Sequence, residues 1–156
     1  MNTQRASMIA IDLMCYHRLL GWRFEFNRRR TSSGLCDYRK RTISLSRPLT
    51  ELREEDAVVE TILHEIAHAL DGCTGHGPTW IRIAKSIGSE AKTCAADVKE
   101  RPAGKFTGRC LDCKVTMPFY RRPKRKYAHR PCTRKPNRGL IEVIPTVLYN
   151  TFVERS

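Results

Sequence analysis

His64-Glu65-Ile66-Ala67-His68 is the segment that most narrows what this chain can fold into. Residues four apart on an α-helix share a face, so both imidazoles of an H-E-x-x-H segment can bind one ion. Glu65 lies about 100° further round, at the edge of that face, where it reaches a water on the ion. The motif therefore requires a helix, and the residues around it are patterned for one. Val58, Val59, Ile62, Leu63, Ile66, Ala69 and Leu70 fall on the arc opposite the histidines. Such a helix buries one side in a core and lines a cleft with the other.

A catalytic zinc takes three protein ligands and keeps a position for water. Thr74, six residues after His68, cannot be the third. Glu90 is a carboxylate at a suitable distance but lies past the helix stop at Gly88. Asp71 is a further candidate, as a ligand or a supporting group, although its place also suits a helix end. His76 is favoured, because glycines at 75 and 77 leave the backbone free to swing the ring back toward the helix. Zinc held by three imidazoles brings the pKa of its water to about 7, and Glu65 is the general base for peptide hydrolysis.

The surrounding pattern predicts an amphipathic helix from Thr3 to Leu20, with Met8, Ile11, Cys15 and Leu19 on its core face. Alternation at Trp22, Phe24 and Phe26 predicts a strand, followed by two more over Leu35–Tyr38 and Arg41–Ser46, all antiparallel. One helix is expected from Pro48 to about Leu70, another from Pro78 carrying Trp80, Ile83, Ala84 and Ile87, and a short one within 89–100.

In order and spacing the chain resembles the SprT-like metallopeptidases, which include the Spartan-type proteases of DNA–protein crosslink repair. The residues that carry the likeness are Trp22–Phe26, Gly34-Leu35-Cys36, Ile43-Ser44-Leu45-Ser46, His64 through Leu70, and Gly75-His76-Gly77-Pro78-Thr79-Trp80. It covers roughly residues 8–135. The resemblance implies that His64, His68 and His76 bind zinc and that Glu65 is catalytic. It implies an α+β fold: a zincin-like metallopeptidase domain of helices and a small antiparallel sheet over 1–100. A basic zinc-ribbon module over 101–145 and a tail over 146–156 would follow.

Charge and cysteine placement describe that second module independently. Of the net +13, residues 101–138 carry +12, with thirteen Lys and Arg against Asp112 alone. Residues 1–100 are close to neutral. Cys110-x-x-Cys113 and His129-x-x-Cys132 stand fifteen residues apart, a spacing that suits a tetrahedral structural zinc. Cys15, Cys36, Cys73 and Cys94 are scattered and read as ordinary buried thiols. Arg121, Arg122, Lys124, Arg125 and Lys126 are placed to meet phosphates, joined by Arg130, Arg134, Lys135 and Arg138. Phe119, Tyr120 and Tyr127 are placed to stack on exposed bases.

Two zinc ions are thus expected, one catalytic and one structural. The partners expected are a protein substrate and DNA, especially single-stranded, with no membrane, and the chain is expected to be a monomer. No stretch reaches the ~18 apolar residues of a membrane span, and Asp12 interrupts the N-terminal apolar run. The expected location is the cytoplasm, that of a host if the gene is phage-borne, and not a secreted one. The function expected is a zinc metalloprotease acting on proteins on or near DNA. The alternative is a nucleic-acid-binding zinc protein whose H-E-x-x-H site is structural or inactive.

Overall fold

The computed structural model describes residues 1–92, 102–133, 139–147 and 150, and the chain divides into two units, Met1–Arg101 and Pro102–Ser156. In the first unit the elements are α1 (Thr3–Tyr16), β1 (Arg23–Asn27), β2 (Gly34–Asp37), β3 (Thr42–Ser46), α2 (Arg47–Leu52), α3 (Glu55–Asp71) and α4 (Pro78–Ser86).

α1 starts where the Asn2 side chain accepts a hydrogen bond from the Gln4 N–H. It buries Ala6, Ala10 and Met14, while Met8, Ile11 and Cys15 face outward. Of the stripe expected to face the core, Leu19 alone does so. Alanines contribute little apolar surface and are easily overlooked in a pattern, yet they let α1 close tightly on α3. The helix also ends at Tyr16 rather than Leu20, and Arg18 turns the chain with a φ of 57°.

The sheet order is β1-β3-β2, and every residue of the central strand is buried. β2 runs antiparallel to β3, with Cys36 opposite Ile43. β1 runs parallel to β3, with Phe24 opposite Ile43 and Phe26 opposite Leu45, which corrects the all-antiparallel expectation. The short turn after Asp37 commits β2 to one side of β3. The other side is left for β1, and β2 with its flanking turns serves as the crossover that parallel strands need.

The single helix expected from Pro48 to Leu70 is instead two. Ser46 caps α2 through its hydroxyl to the Leu49 N–H, and Arg53 and Glu54 are extended. Nothing in Leu52-Arg53-Glu54-Glu55 breaks a helix by propensity. The break coincides with a tertiary contact: the Met1 nitrogen donates to the carbonyls of Thr50, which also accepts the Arg53 N–H, and of Arg53. α3 carries Glu55 and Asp56 in its first turn and ends at Gly72, whose φ of 70° suits the left-handed cap.

Ile43 and Leu45 of the sheet pack on Val58, Ile62 and Ile66 of α3 and on the buried face of α1. A smaller cluster of Ala67, Trp80 and Ala84 joins α3 to α4. Together they hold α3 between the sheet and α4.

The second unit contains β4 (Phe106–Cys110), β5 (Thr116–Phe119) and β6 (Ile141–Pro145) in an antiparallel sheet of order β5-β4-β6. A 3-10 turn spans Arg130–Cys132. The helix expected within 89–100 falls largely outside the described residues, as do Cys94, Arg134, Lys135 and Arg138. Among the described residues no helix is long and apolar enough to cross a membrane.

Candidate active site

The three predicted histidine ligands converge. His64 and His68 come from successive turns of α3, and His76 from the loop before α4. Their Nε2 atoms form a triangle: 3.2 Å from His64 to His68, 3.1 Å from His68 to His76 and 3.1 Å from His76 to His64. Zinc–nitrogen bonds of about 2.0–2.1 Å in a tetrahedron set ligand nitrogens roughly 3.3 Å apart, so the triangle fits one face of that tetrahedron. Three imidazole nitrogens gathered this closely could hold one metal ion between them. Glu90 and Asp71 are not in the cluster.

The protonation states suit ligation. Burial, with the neighbouring His68 and His76, pushes the His64 imidazole down to about 4. Burial also lowers His68. Neutral rings are what a metal requires. The His68 Nδ1 lies 2.9 Å from the Cys73 carbonyl. A carbonyl only accepts, so the proton sits on Nδ1 and the Nε2 lone pair faces the other two rings.

Two residues whose site role the sequence does not reveal build the surroundings. The Tyr38 hydroxyl, just past β2, donates to the carbonyls of His68 and Cys73. It thereby ties the end of α3 and the following loop to the sheet. Trp80 is fully buried on α4 with its ring centroid 4.4, 4.8 and 5.3 Å from those of His76, His64 and His68. The indole supports all three rings. Gly77 has an ordinary φ of −70°, and Gly75 is not among the residues with positive φ. His76 is therefore placed by the Trp80 ring packed against it and by the start of α4, on a loop that Tyr38 ties at Cys73, without the glycine freedom expected of its turn. Tyr38→Phe keeps the ring that packs edge-on against Trp22 and removes only the hydroxyl. It should lower zinc affinity on the order of tenfold in competition with a chelator; unchanged affinity would deny the tether any part in holding the site.

Glu65 lies in the same cleft, 7% exposed. Burial raises its carboxyl to about 7, partly offset by a hydrogen bond from the Cys36 backbone N–H. Cys36 itself is pushed up to about 12 by burial and by the Glu65 charge, so its thiol stays protonated. The cleft, of about 1010 Å³, runs between Gly34, Leu35 and Cys36 of β2 and His64, Glu65 and His68 of α3.

In the second unit Cys110, Cys113, His129 and Cys132 place their ligand atoms within 4.8 Å of one another. The His129 Nδ1 is 3.2 Å from the Cys113 sulfur and 3.3 Å from that of Cys132. Cys110 ends β4 and Cys113 lies in the turn that follows; His129 and Cys132 bracket the 3-10 turn. Asp112 braces the opposite loop by accepting the Gly139 N–H. A backbone N–H from Cys113 lowers the Cys110 thiol, the direction zinc binding requires. Four N and S donors from two paired turns suit a closed zinc site.

Arg121, Arg122, Lys124, Arg125, Lys126 and Tyr127 all lie on the loop after β5 and all are exposed, with Pro123 half-buried between them. Tyr127 meets Phe119 edge-on at 5.4 Å, whereas the Tyr120 hydroxyl donates to the Pro102 carbonyl. Two of the three aromatic residues expected to stack on bases therefore form one cluster beside the basic loop.

The SprT-like family profile matches residues 8–100. The DNA-dependent metalloprotease SPRTN of Danio rerio is 29% identical over 146 residues, covering 80% of this chain. The chain spans 22% of that relative's length. Among solved structures, the metallopeptidase zymogen jannalysin of Methanocaldococcus jannaschii aligns with a TM-score of 0.49 at 16% identity, over 55% of this chain and 83% of its own. The zymogen abylysin of Pyrococcus abyssi aligns at 0.42 and 20% identity, over 55% and 88%. With its H-E-x-x-H helix, third histidine and supporting tryptophan inside the matched span, the chain belongs to the SprT-like family.

Proposed function

We propose that the first unit is a zinc-dependent peptidase and that the second brings it to DNA, so that it acts on proteins on or near nucleic acid. The observation that carries the catalytic reading is the meeting of three Nε2 atoms within 3.2 Å of one another, two of them on His64 and His68, which line the cleft together with Glu65. His64, His68 and His76 would hold the zinc. When bound, zinc supplies Lewis acidity for the scissile carbonyl and for the attacking water. Glu65 accepts the proton of that water and returns it to the leaving amine nitrogen. In the metal-free chain burial raises its carboxyl to about 7, which makes it a stronger base than an exposed carboxylate. The closed set of Cys110, Cys113, His129 and Cys132 would hold a structural zinc, with no position left for chemistry.

The nucleic-acid reading is supported by the confinement of +12 to residues 101–138 and by exposure of the loop at 121–127 beside Phe119. The curated relative is named as DNA-dependent. The test is hydrolysis of an unfolded protein by the zinc-loaded chain, with and without single-stranded DNA. No hydrolysis in either condition would leave a DNA-binding zinc protein.

Neutralising Arg121, Arg122, Lys124, Arg125 and Lys126 together should weaken single-stranded DNA binding and flatten its salt dependence. For every phosphate that the loop no longer neutralises, the slope of log K against log salt should fall by about 0.7. Fluorescence anisotropy across a salt series reads this directly. An unchanged slope would move the DNA site elsewhere.

A further inference from the structure

We propose that Gly34 is a positioning residue for Glu65, and that the empty side-chain volume at Gly34 sets where the catalytic carboxylate lies. The proposal rests on Glu65 being the general base. A Cβ built on Gly34 would fall at 2.7 Å from the Glu65 Cγ, 2.8 Å from its Cδ, and closer still to Oε1. The outer half of the glutamate side chain thus occupies the space that any other residue at 34 would fill. Gly34 is not among the residues with positive φ, so backbone conformation does not demand glycine here. Space does.

The surroundings turn this contact into a gauge. Gly34 and Cys36 are two apart on β2, so they share a face of the strand. The carboxylate lies against the first and accepts the backbone N–H of the second. β2 is itself registered on the fully buried β3, with Gly34 opposite Leu45. The strand therefore supplies a fixed wall, and α3 presses Glu65 onto it. The ligand histidines have supports of their own: the Cys73 carbonyl at His68 and the Trp80 indole beside all three rings.

Glu65 is the far end of a flexible side chain, so a methyl at 34 can be accommodated by moving the carboxylate rather than by breaking the sheet. Gly34→Ala in the zinc-loaded full chain should retain wild-type zinc content and KM on an unfolded protein substrate. Its kcat should fall on the order of 10²-fold, the scale of an ångström's misplacement. In a Glu65→Gln background the same substitution should cost nothing further. Its crystal structure should show the carboxylate off the Cys36 N–H. Loss of equal size in both backgrounds, or full activity with the carboxylate in place, overturns the proposal. If Gly34→Ala does not fold, Gly34→Ala with Glu65→Ala should, because the clashing atoms are gone; continued failure also overturns it. If the wild-type chain hydrolyses nothing, the peptidase reading fails, and the crystal structure of Gly34→Ala still decides whether residue 34 sets the carboxylate.

Discussion

Glu65→Gln is expected to bind zinc at the three histidines with wild-type stoichiometry and to lose kcat on the order of 10³-fold. Glutamine is nearly the same size, so it keeps the packing against Gly34 and the position of His64 beside it. What disappears is a group that takes a proton. Wild-type turnover by this variant would remove Glu65 from the mechanism. The substitution also has a signature that does not depend on activity. In the metal-free protein the Glu65 carboxyl sits near 7, against about 4.5 when unfolded. The folded chain therefore holds a proton that the unfolded chain has released, and stability declines as pH rises from about 4.5 to 7. The full deficit above that window is about 3 kcal/mol. Glutamine carries no such cost. Metal-free Glu65→Gln should melt above the wild type at pH 8, with the gap closing by about pH 4.5. Parallel melting curves at both pH values would mean that the carboxylate is better solvated than its burial indicates.

Loss of the zinc proposed for the second unit should unfold that unit outright. Among the buried hydrophobic residues, Cys110 is the one contributed by the described part of residues 102–156 to the large-side-chain core. A three-stranded sheet with so little core cannot offset the entropy of ordering its loops. Structural zinc supplies an apparent ~10–16 kcal/mol in small domains, far more than any side-chain contact here. Cys132→Ser removes one of four ligands. It should reduce zinc content from two to one, collapse the amide dispersion of residues 106–145 in NMR spectra and abolish DNA binding. The melting of the first unit, which has its own core around Ile43, Ile62 and Ile66, should hardly change. A dispersed spectrum from metal-free or Cys132→Ser protein would mean that the sheet stands without its ion.

Much of the catalytic site is legible in residue spacing, because the relevant interactions are local. His64 and His68 are placed by one helical turn, and Glu65 by its position in that turn. Harder to read is whatever depends on a partner distant in sequence. β1 lies beside β3, and parallel to it, with β2 on the opposite edge, an arrangement set by the whole sheet and not by any one strand. The break between α2 and α3 is met by the Met1 ammonium, about fifty residues away. The buried face of α1 escapes the pattern because Ala6 and Ala10, not the larger Met8 and Ile11, are what fit against α3. The site itself shows the same division. Flanking glycines favour His76 in the sequence, but a tryptophan from the next helix packs against its ring and a tyrosine from beyond β2 ties the loop that carries it.

The amino-acid order by itself determined the chemistry available: three imidazoles and a carboxylate at helical and near-helical spacing, four N and S ligands in two pairs, and a concentrated positive charge. It could do so because ligand spacing within a turn of helix or a tight loop is local geometry. Only the tertiary structure decided how these groups are aimed. The Tyr38 tether, the Trp80 support and the Gly34 wall act between elements far apart in the chain, where close packing rather than local conformation fixes each side chain.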